Sequence, residues 1–106
     1  MTKRNFQAEI KRITDQIISN YRPQKIILFG SVARGEFNED SDLDMLIVKN
    51  TSKRRVDRIK EVLFAVDYNL PFEPLVYTPR EIEERKKLGD NFILEVLSQG
   101  RVLYEQ

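Results

Sequence analysis

Two acidic residues follow each other at a spacing that suits the binding of a cation. Asp42 and Asp44 flank Leu43, and Asp44 is the only charged residue of the apolar run at residues 43–48. Alternate residues of a strand share one face, so the two carboxylates lie about 7 Å apart on the same side. They repel each other unless a cation lies between them, and aspartate is a poor strand former. The pair favours a metal site over a solvated strand end, which explains Asp42 more readily than Asp44.

A third acid, Glu73, is the only acidic residue of a later run at residues 72–77. If that run is a strand beside the first one, Glu73 completes a cluster of three carboxylates. The alternative is an exposed residue on an edge strand, which the adjacent Pro74 favours. The chain has no His and no Cys, so a bound metal must lie among oxygen ligands, as Mg²⁺ or Mn²⁺ does.

Gly30 and Ser31 directly follow the short apolar run at residues 26–29. If a helical turn begins there, its free N–H groups and the Ser31 hydroxyl form an anion site. Gly30 would let a phosphate approach the backbone, and Arg34 would add a permanently charged guanidinium. The alternative, which the Gly-Ser pair taken alone favours, is that Gly30 and Gly35 only bracket a tight turn.

The elements that position these residues follow from the periodicity of the apolar side chains. Helical spacing and a capping box at Thr78 with Pro79 predict the helices, and short apolar runs predict the strands. The predicted order is a helix over 3–20, strands over 26–29 and 43–48, a helix over 51–67, a strand over 72–77, a helix from Thr78, a helix carrying residues 92–97 and an edge strand over 101–104. This alternation predicts a single domain over residues 1–106, of the α/β or α+β class.

Composition excludes several classes of function. The 106 residues include 18 Lys and Arg against 17 Asp and Glu, and lack His and Cys. Disulfides, zinc fingers, thiol nucleophiles and Ser-His-Asp catalysis are therefore excluded. The near-zero net charge argues against nucleic acid as a partner. Without an apolar run long enough for a bilayer or a signal peptide, we expect a cytoplasmic protein with no membrane partner.

Two surface features are open to alternatives. The basic residues at the start of the helix over 51–67, Arg58 among them, are expected to form a solvated face rather than a phosphate or RNA contact. The C-terminal helix with Phe92, Ile93 and Val96, and the strand over 101–104, either offer apolar surface to a partner or close the chain's own core.

Two blocks of sequence resemble the minimal nucleotidyltransferases of the DNA polymerase beta superfamily. They are Leu-Phe-Gly-Ser-Val-Ala-Arg-Gly at residues 28–35 and Ser-Asp-Leu-Asp-Met-Leu-Ile-Val at residues 41–48. The family pattern is Gly-Ser, a short spacer, acid-apolar-acid on a strand and a further acid on a neighbouring strand. The resemblance covers the whole chain and implies the polymerase-beta-like fold, a small mixed sheet flanked by helices.

The resemblance also implies a two-metal mechanism, in which an acceptor hydroxyl attacks the α-phosphorus of a nucleoside triphosphate and pyrophosphate leaves. The implied catalytic and Mg²⁺-binding residues are Asp42, Asp44 and Glu73, and the implied nucleotide-binding residues are Gly30, Ser31, Arg34 and Ser41. One departure concerns the third acid, which is more often Asp in the small members of the family. The longer arm of Glu73, followed by Pro74, changes the geometry with which it can reach a metal.

The acceptor of the transferred nucleoside monophosphate is not given by these two sequence blocks. The resemblance implies transfer of AMP from ATP to a HEPN-type partner protein, with this chain as the antitoxin of a toxin–antitoxin pair, or an acceptor presented by a second copy of the chain. One alternative is a non-catalytic module that binds nucleotide or partner, against which the complete carboxylate set argues. Another is a small-molecule transferase similar to the aminoglycoside nucleotidyltransferases, for which 106 residues leave little room.

Overall fold

The computed structural model describes residues 3–36, 38 and 40–106, with Lys3 described by its backbone alone. Within these ranges the elements are α1 (Lys3–Tyr21), β1 (Lys25–Phe29), α2 (Gly30–Ala33), β2 (Leu43–Val48), α3 (Arg55–Ala65), β3 (Phe72–Tyr77), α4 (Pro79–Lys87), α5 (Asn91–Gln99) and β4 (Arg101–Glu105). The predicted alternation of helices and strands is confirmed. None of the helices in these ranges is both long and apolar enough to cross a bilayer.

The four strands form one mixed sheet in the order β3-β2-β1-β4. β1 is antiparallel to both β2 and β4, whereas β2 and β3 are parallel. β2 and β3 can be parallel because α3, which connects them, carries the chain back along the sheet before β3 begins. The expected small mixed sheet is therefore confirmed, with β4 on one edge and β3 on the other.

Helices cover both faces of the sheet, since alternate strand residues point to opposite sides. On one face α1 and α3 bury Ile13, Ile17 and Val62 completely against the sheet. The other face packs against α4 and α5, through Ile82, Ile93 and Val96.

The C-terminal helix therefore serves the chain's own core. Ile93 and Val96 are 0% and 2% exposed, so they are not available as the partner surface that their apolar character had suggested. Phe92 differs from them, since 38% of it stays exposed.

The ends of two helices differ slightly from the prediction. α1 extends to Tyr21, one residue further, and stops at Arg22, which has a left-handed backbone with φ 55° and precedes Pro23. α3 begins at Arg55 rather than at residue 51, because the Thr51 hydroxyl accepts the Lys53 N–H and closes a local turn there.

Arg58 corrects the expectation of a solvated basic face. Its side chain is only 8% exposed and donates hydrogen bonds to the carbonyls of Lys53 (2.7 Å) and Val76 (3.3 Å). It also pairs with Glu81 Oε1 at 2.7 Å, and Glu81 forms the capping box of α4. Position 58 lies one helical turn before the buried Val62 and so shares its core-facing side.

We predict that Arg58→Ala lowers the free energy of unfolding by about 2–4 kcal/mol, because it removes the cation from the partly buried Glu81 carboxylate and a donor from the Val76 carbonyl. The matched control is Arg80→Ala, which removes an 88% exposed guanidinium from its pair with Glu84. Surface ion pairs contribute little, so this control should unfold like the wild type in chemical denaturation. Equal midpoints for the two variants would contradict the structural role of Arg58.

Candidate functional site

The predicted acidic residues meet at one end of the sheet. In the β1–β2 pairing Asp44 lies opposite Phe29, and in the β2–β3 pairing it lies opposite Glu73. The end of β1 and the starts of the parallel strands β2 and β3 therefore converge there. The register thus places Glu73 beside Asp44, with Gly30 directly after Phe29.

The three carboxylates differ in their surroundings. Asp44 is half-buried in a central strand, whereas Glu73 lies exposed on the edge strand β3. Asp42 precedes β2 and is exposed. Asp44 and Glu73 point to the sheet face that α4 and α5 cover further along, since Leu46 of β2 and Tyr77 of β3 pack there.

Crowding of the acids changes the protonation of Asp44. Burial, the neighbouring charge of Glu73, a hydrogen bond shared with Glu73 and the charge of Asp42 together raise the pKa of Asp44 to about 6. Each of these causes disfavours a second negative charge at this position. A cation bound nearby would therefore lower the pKa of Asp44 and favour its ionised form.

A side chain at position 30 is disfavoured for two reasons. The backbone of Gly30 is left-handed, with φ 79°, a conformation that side chains beyond glycine rarely adopt. A Cβ atom at position 30 would also overlap Oδ2 of Asp44. The sequence predicted that Gly30 admits a phosphate, but missed its contact with Asp44, which the antiparallel pairing of Phe29 with Asp44 would have indicated.

The Gly-Ser turn is tight. The Ser31 carbonyl accepts the N–H groups of Arg34 (3.2 Å) and Glu36 (2.9 Å), and Gly35 is left-handed with φ 82°. A tight turn is thus observed, and α2 is the helical turn on which the anion-site hypothesis depends, so both interpretations stay open. Within the described residues the Ser31 hydroxyl has no hydrogen-bond partner, and Arg34 pairs with Glu36 at 3.3 Å on the surface. Both groups remain accessible, and their phosphate contact stays a prediction.

Ser41 has a role in the loop before β2. It is buried, its hydroxyl accepts the Asn38 N–H at 2.9 Å, and it donates to the Glu36 carbonyl at 3.4 Å. These bonds hold the segment that leads into Asp42. The nucleotide contact predicted for Ser41 remains a prediction.

The donor set consists of carboxylate oxygens, which Mg²⁺ and Mn²⁺ prefer. No group of three or more Asp and Glu side chains in the described residues is already arranged around a common point as a formed metal site. The paired Asp44 and Glu73, with Asp42 two residues before Asp44, are the residues that a cation would draw together.

Comparison with known proteins shows which family this chain resembles. The family model described as a nucleotidyltransferase domain matches residues 9–103. Three proteins of Methanocaldococcus jannaschii, each named "Putative protein adenylyltransferase", are similar to this chain. One is 38% identical over 104 residues, which is 94% of this chain and 99% of the relative. Another is 32% identical over 87% of this chain and 89% of its own length, and the third is 34% identical over 76% and 58%.

A solved structure supports the fold. It is titled as that of a "putative nucleotidyltransferase" from Sulfolobus solfataricus, and it matches with a TM-score of 0.59 over 100% of this chain and 91% of that one. At 20% identity this likeness concerns architecture alone. The family match includes the Gly30–Ser31 turn and all three carboxylates, and it spans nearly the whole chain. The chain therefore belongs to the nucleotidyltransferase domain family.

Proposed function

We propose that this nucleotidyltransferase moves AMP from ATP to a side-chain hydroxyl of a partner protein. The observation that carries the proposal is the pairing of Asp44 with Glu73 beside the Gly30–Ser31 turn. The kind of transfer is inferred from the relative that is 38% identical over 99% of its length and is named as a protein adenylyltransferase.

The acidic residues fit a divalent cation. They supply oxygen donors, and the pKa of Asp44 is raised first by burial and then by the neighbouring charges of Glu73 and Asp42, which a cation would offset. Asp42, Asp44 and Glu73 would hold Mg²⁺, which would stabilise charge at the α-phosphate and lower the pKa of the acceptor hydroxyl.

The residues on the β1 side of Asp44 would bind the donor nucleotide, and those on the β3 side would face the acceptor. Ser31 and Arg34 lie after β1 and present a hydroxyl and a guanidinium, which suit the triphosphate. Glu73 lies on the opposite side, on an exposed edge strand, where the hydroxyl of another protein has access. The acceptor oxygen forms a bond to the α-phosphorus, and the bond from that phosphorus to the oxygen bridging it to the β-phosphate breaks. Pyrophosphate leaves with that oxygen, and the hydroxyl proton goes to solvent.

For the acceptor we propose a HEPN-type protein, with this chain as the antitoxin of the pair. The open β3 edge supports an acceptor that arrives from outside the described fold. A second copy of this chain is the other candidate to present the acceptor hydroxyl.

We predict that the chain, incubated with Mg²⁺ and a HEPN-type protein encoded beside it, labels that protein from ATP carrying phosphorus-32 at the α position. Label at the γ position should stay in pyrophosphate, as adenylyl transfer requires. Asp44→Asn should abolish labelling, because it removes a carboxylate from the proposed metal site. Asp15→Asn, at an exposed residue paired with Lys11, should keep it. Transfer of the γ label, or full activity of Asp44→Asn, would refute the proposal.

We predict a pH-dependent stability difference between the metal-free wild type and Asp44→Asn. The pKa of Asp44 is about 6 when folded and about 4 when unfolded, so the folded state binds more protons between these values. The contribution of Asp44 to stability therefore falls as pH rises from about 4 through 6.

Chemical denaturation in EDTA would then find the two proteins alike at pH 4. At pH 7 the variant should be more stable by about 1 kcal/mol, a figure reduced for solvent screening of the half-buried carboxyl. A metal-free variant that is less stable than wild type at pH 7 would mean that Asp44 has a structural role.

We predict that Gly30→Ala abolishes transfer and destabilises the fold more than Gly35→Ala. Both glycines are left-handed, so each substitution carries a backbone cost of about 1–2 kcal/mol. A Cβ at position 35 meets open space, whereas one at position 30 overlaps the Asp44 carboxylate. Thermal unfolding and transfer assays of the two variants separate these effects, and equal losses would argue against the contact between Gly30 and Asp44.

A further inference from the structure

A cleft between α2 and α5 opens beside the carboxylates. Its floor includes Phe29, which is the cross-strand neighbour of Asp44. Gly30 and Arg34 form the wall on the side of α2. The cleft is therefore continuous with the site described above, on the side of Asp44 away from Glu73.

The opposite wall is one side of α5. Phe92, Glu95, Val96 and Gln99 recur there at helical spacing and line the cleft. Phe92 meets Phe29 edge to face, with ring centroids 5.4 Å apart and planes at 81°. The inner lining is thus mainly apolar and aromatic, whereas Glu95 and Gln99 are exposed at the rim.

The volume of the cleft limits the size of the ligand that it can hold. Its volume is about 90 Å³, and one water molecule needs roughly 10–15 Å³ on this measure, so it holds the equivalent of about six to nine waters. That space corresponds to a flat ring system rather than to a whole nucleotide.

We propose that this cleft holds the nucleobase of the donor nucleotide and that Glu95 selects adenine. The inference rests on the proposed function and adds to it the residues that read the base. The triphosphate is assigned to the Gly30–Ser31 turn, and the cleft begins at that same turn. A base in the cleft therefore stays on the donor side, and the acceptor keeps the open edge at Glu73.

The lining favours a base over pyrophosphate or an acidic group. Among the described residues of the lining Arg34 is the one cation, and it directly follows α2, whose first residues form the turn assigned to the triphosphate. Glu95 adds a negative charge, which would repel a phosphate. An aromatic and apolar interior instead suits the face of a heteroaromatic ring.

The rim provides the means of discrimination. An ionised carboxylate only accepts hydrogen bonds, so Glu95 can accept from the exocyclic amino group of adenine. With the base in the same pose, the corresponding atom of guanine is a carbonyl oxygen, which a carboxylate repels. Guanine would have to turn in the cleft before its N1–H and 2-amino group could reach Glu95. The Gln99 amide, one helical turn further on, can both donate and accept and so can pair with a ring nitrogen.

The test compares binding of ATP, GTP and inorganic tripolyphosphate, each with Mg²⁺, by calorimetry. Tripolyphosphate reports the phosphate site without a base. Phe92→Ala should weaken ATP about tenfold and leave tripolyphosphate unchanged, since stacking on one ring has that magnitude. Phe92→Leu keeps most of the side-chain volume and should retain the fold with a smaller loss of ATP affinity.

Glu95→Gln should reduce the preference for ATP over GTP about tenfold, because glutamine can also donate to the guanine carbonyl. Glu83→Gln makes the same charge change on α4, outside the cleft, and should leave the preference unchanged. If ATP binds but these variants leave its affinity and selectivity as in wild type, the base site is wrong while the proposed function stands. If the wild type binds neither ATP nor tripolyphosphate, both are wrong.

Discussion

Two carboxylates in neighbouring positions of a sheet repel each other, and much of this structure keeps Asp44 and Glu73 in that arrangement. Apolar residues directly after Asp44 provide the opposing stabilisation. Met45, Leu46 and Ile47 are each 0% exposed, because helices cover both faces of β2. Burial of one such side chain contributes about 1.5–3 kcal/mol. A repulsion on the order of 1 kcal/mol at Asp44 is therefore outweighed within the same strand.

The position of Glu73 needs further support, since β3 is an edge strand that pairs only with β2. Arg58 provides part of it. Its guanidinium bonds to the Val76 carbonyl on β3 and to Glu81 at the start of α4, so it joins α3, β3 and α4 at one buried point. The Val76 carbonyl lies three residues after Glu73 on β3, so this bond helps to fix the strand that presents Glu73. A basic residue thus supports an acidic site through the backbone rather than by charge.

Local signals in the sequence predicted the type and order of the elements, and the strand register then placed the predicted Glu73 beside Asp44. The run after Asp44 is apolar without interruption, and Thr78 with Glu81 forms the predicted capping box. One failure is local, since the turn at Thr51 delays the start of α3, and the others involve residues that are distant in the sequence. Arg58 was misjudged because its partner Glu81 lies 23 residues further on.

Tertiary proximity also created the features that no motif indicated. The overlap that a side chain at Gly30 would make with Asp44 depends on the antiparallel pairing of β1 with β2. The cleft depends on the contact between Phe92 of α5 and Phe29 of β1, two residues that several strands and helices separate in the sequence. Periodicity identified Ile93 and Val96 as apolar, but only packing shows that they are buried while their neighbour Phe92 remains partly exposed.

The two sides of Asp44 differ in a way that bears on substrate choice. On the side of β1 a turn, a cleft and the face of α5 enclose a limited space, so a ligand there meets many fixed groups. On the side of β3 the site ends at an exposed edge strand with Glu73 on it. Selectivity requires contacts that distinguish one ligand from another, and only the enclosed side offers them within the described residues. A fixed donor and an acceptor chosen by contacts from outside this fold are what such an asymmetric site favours.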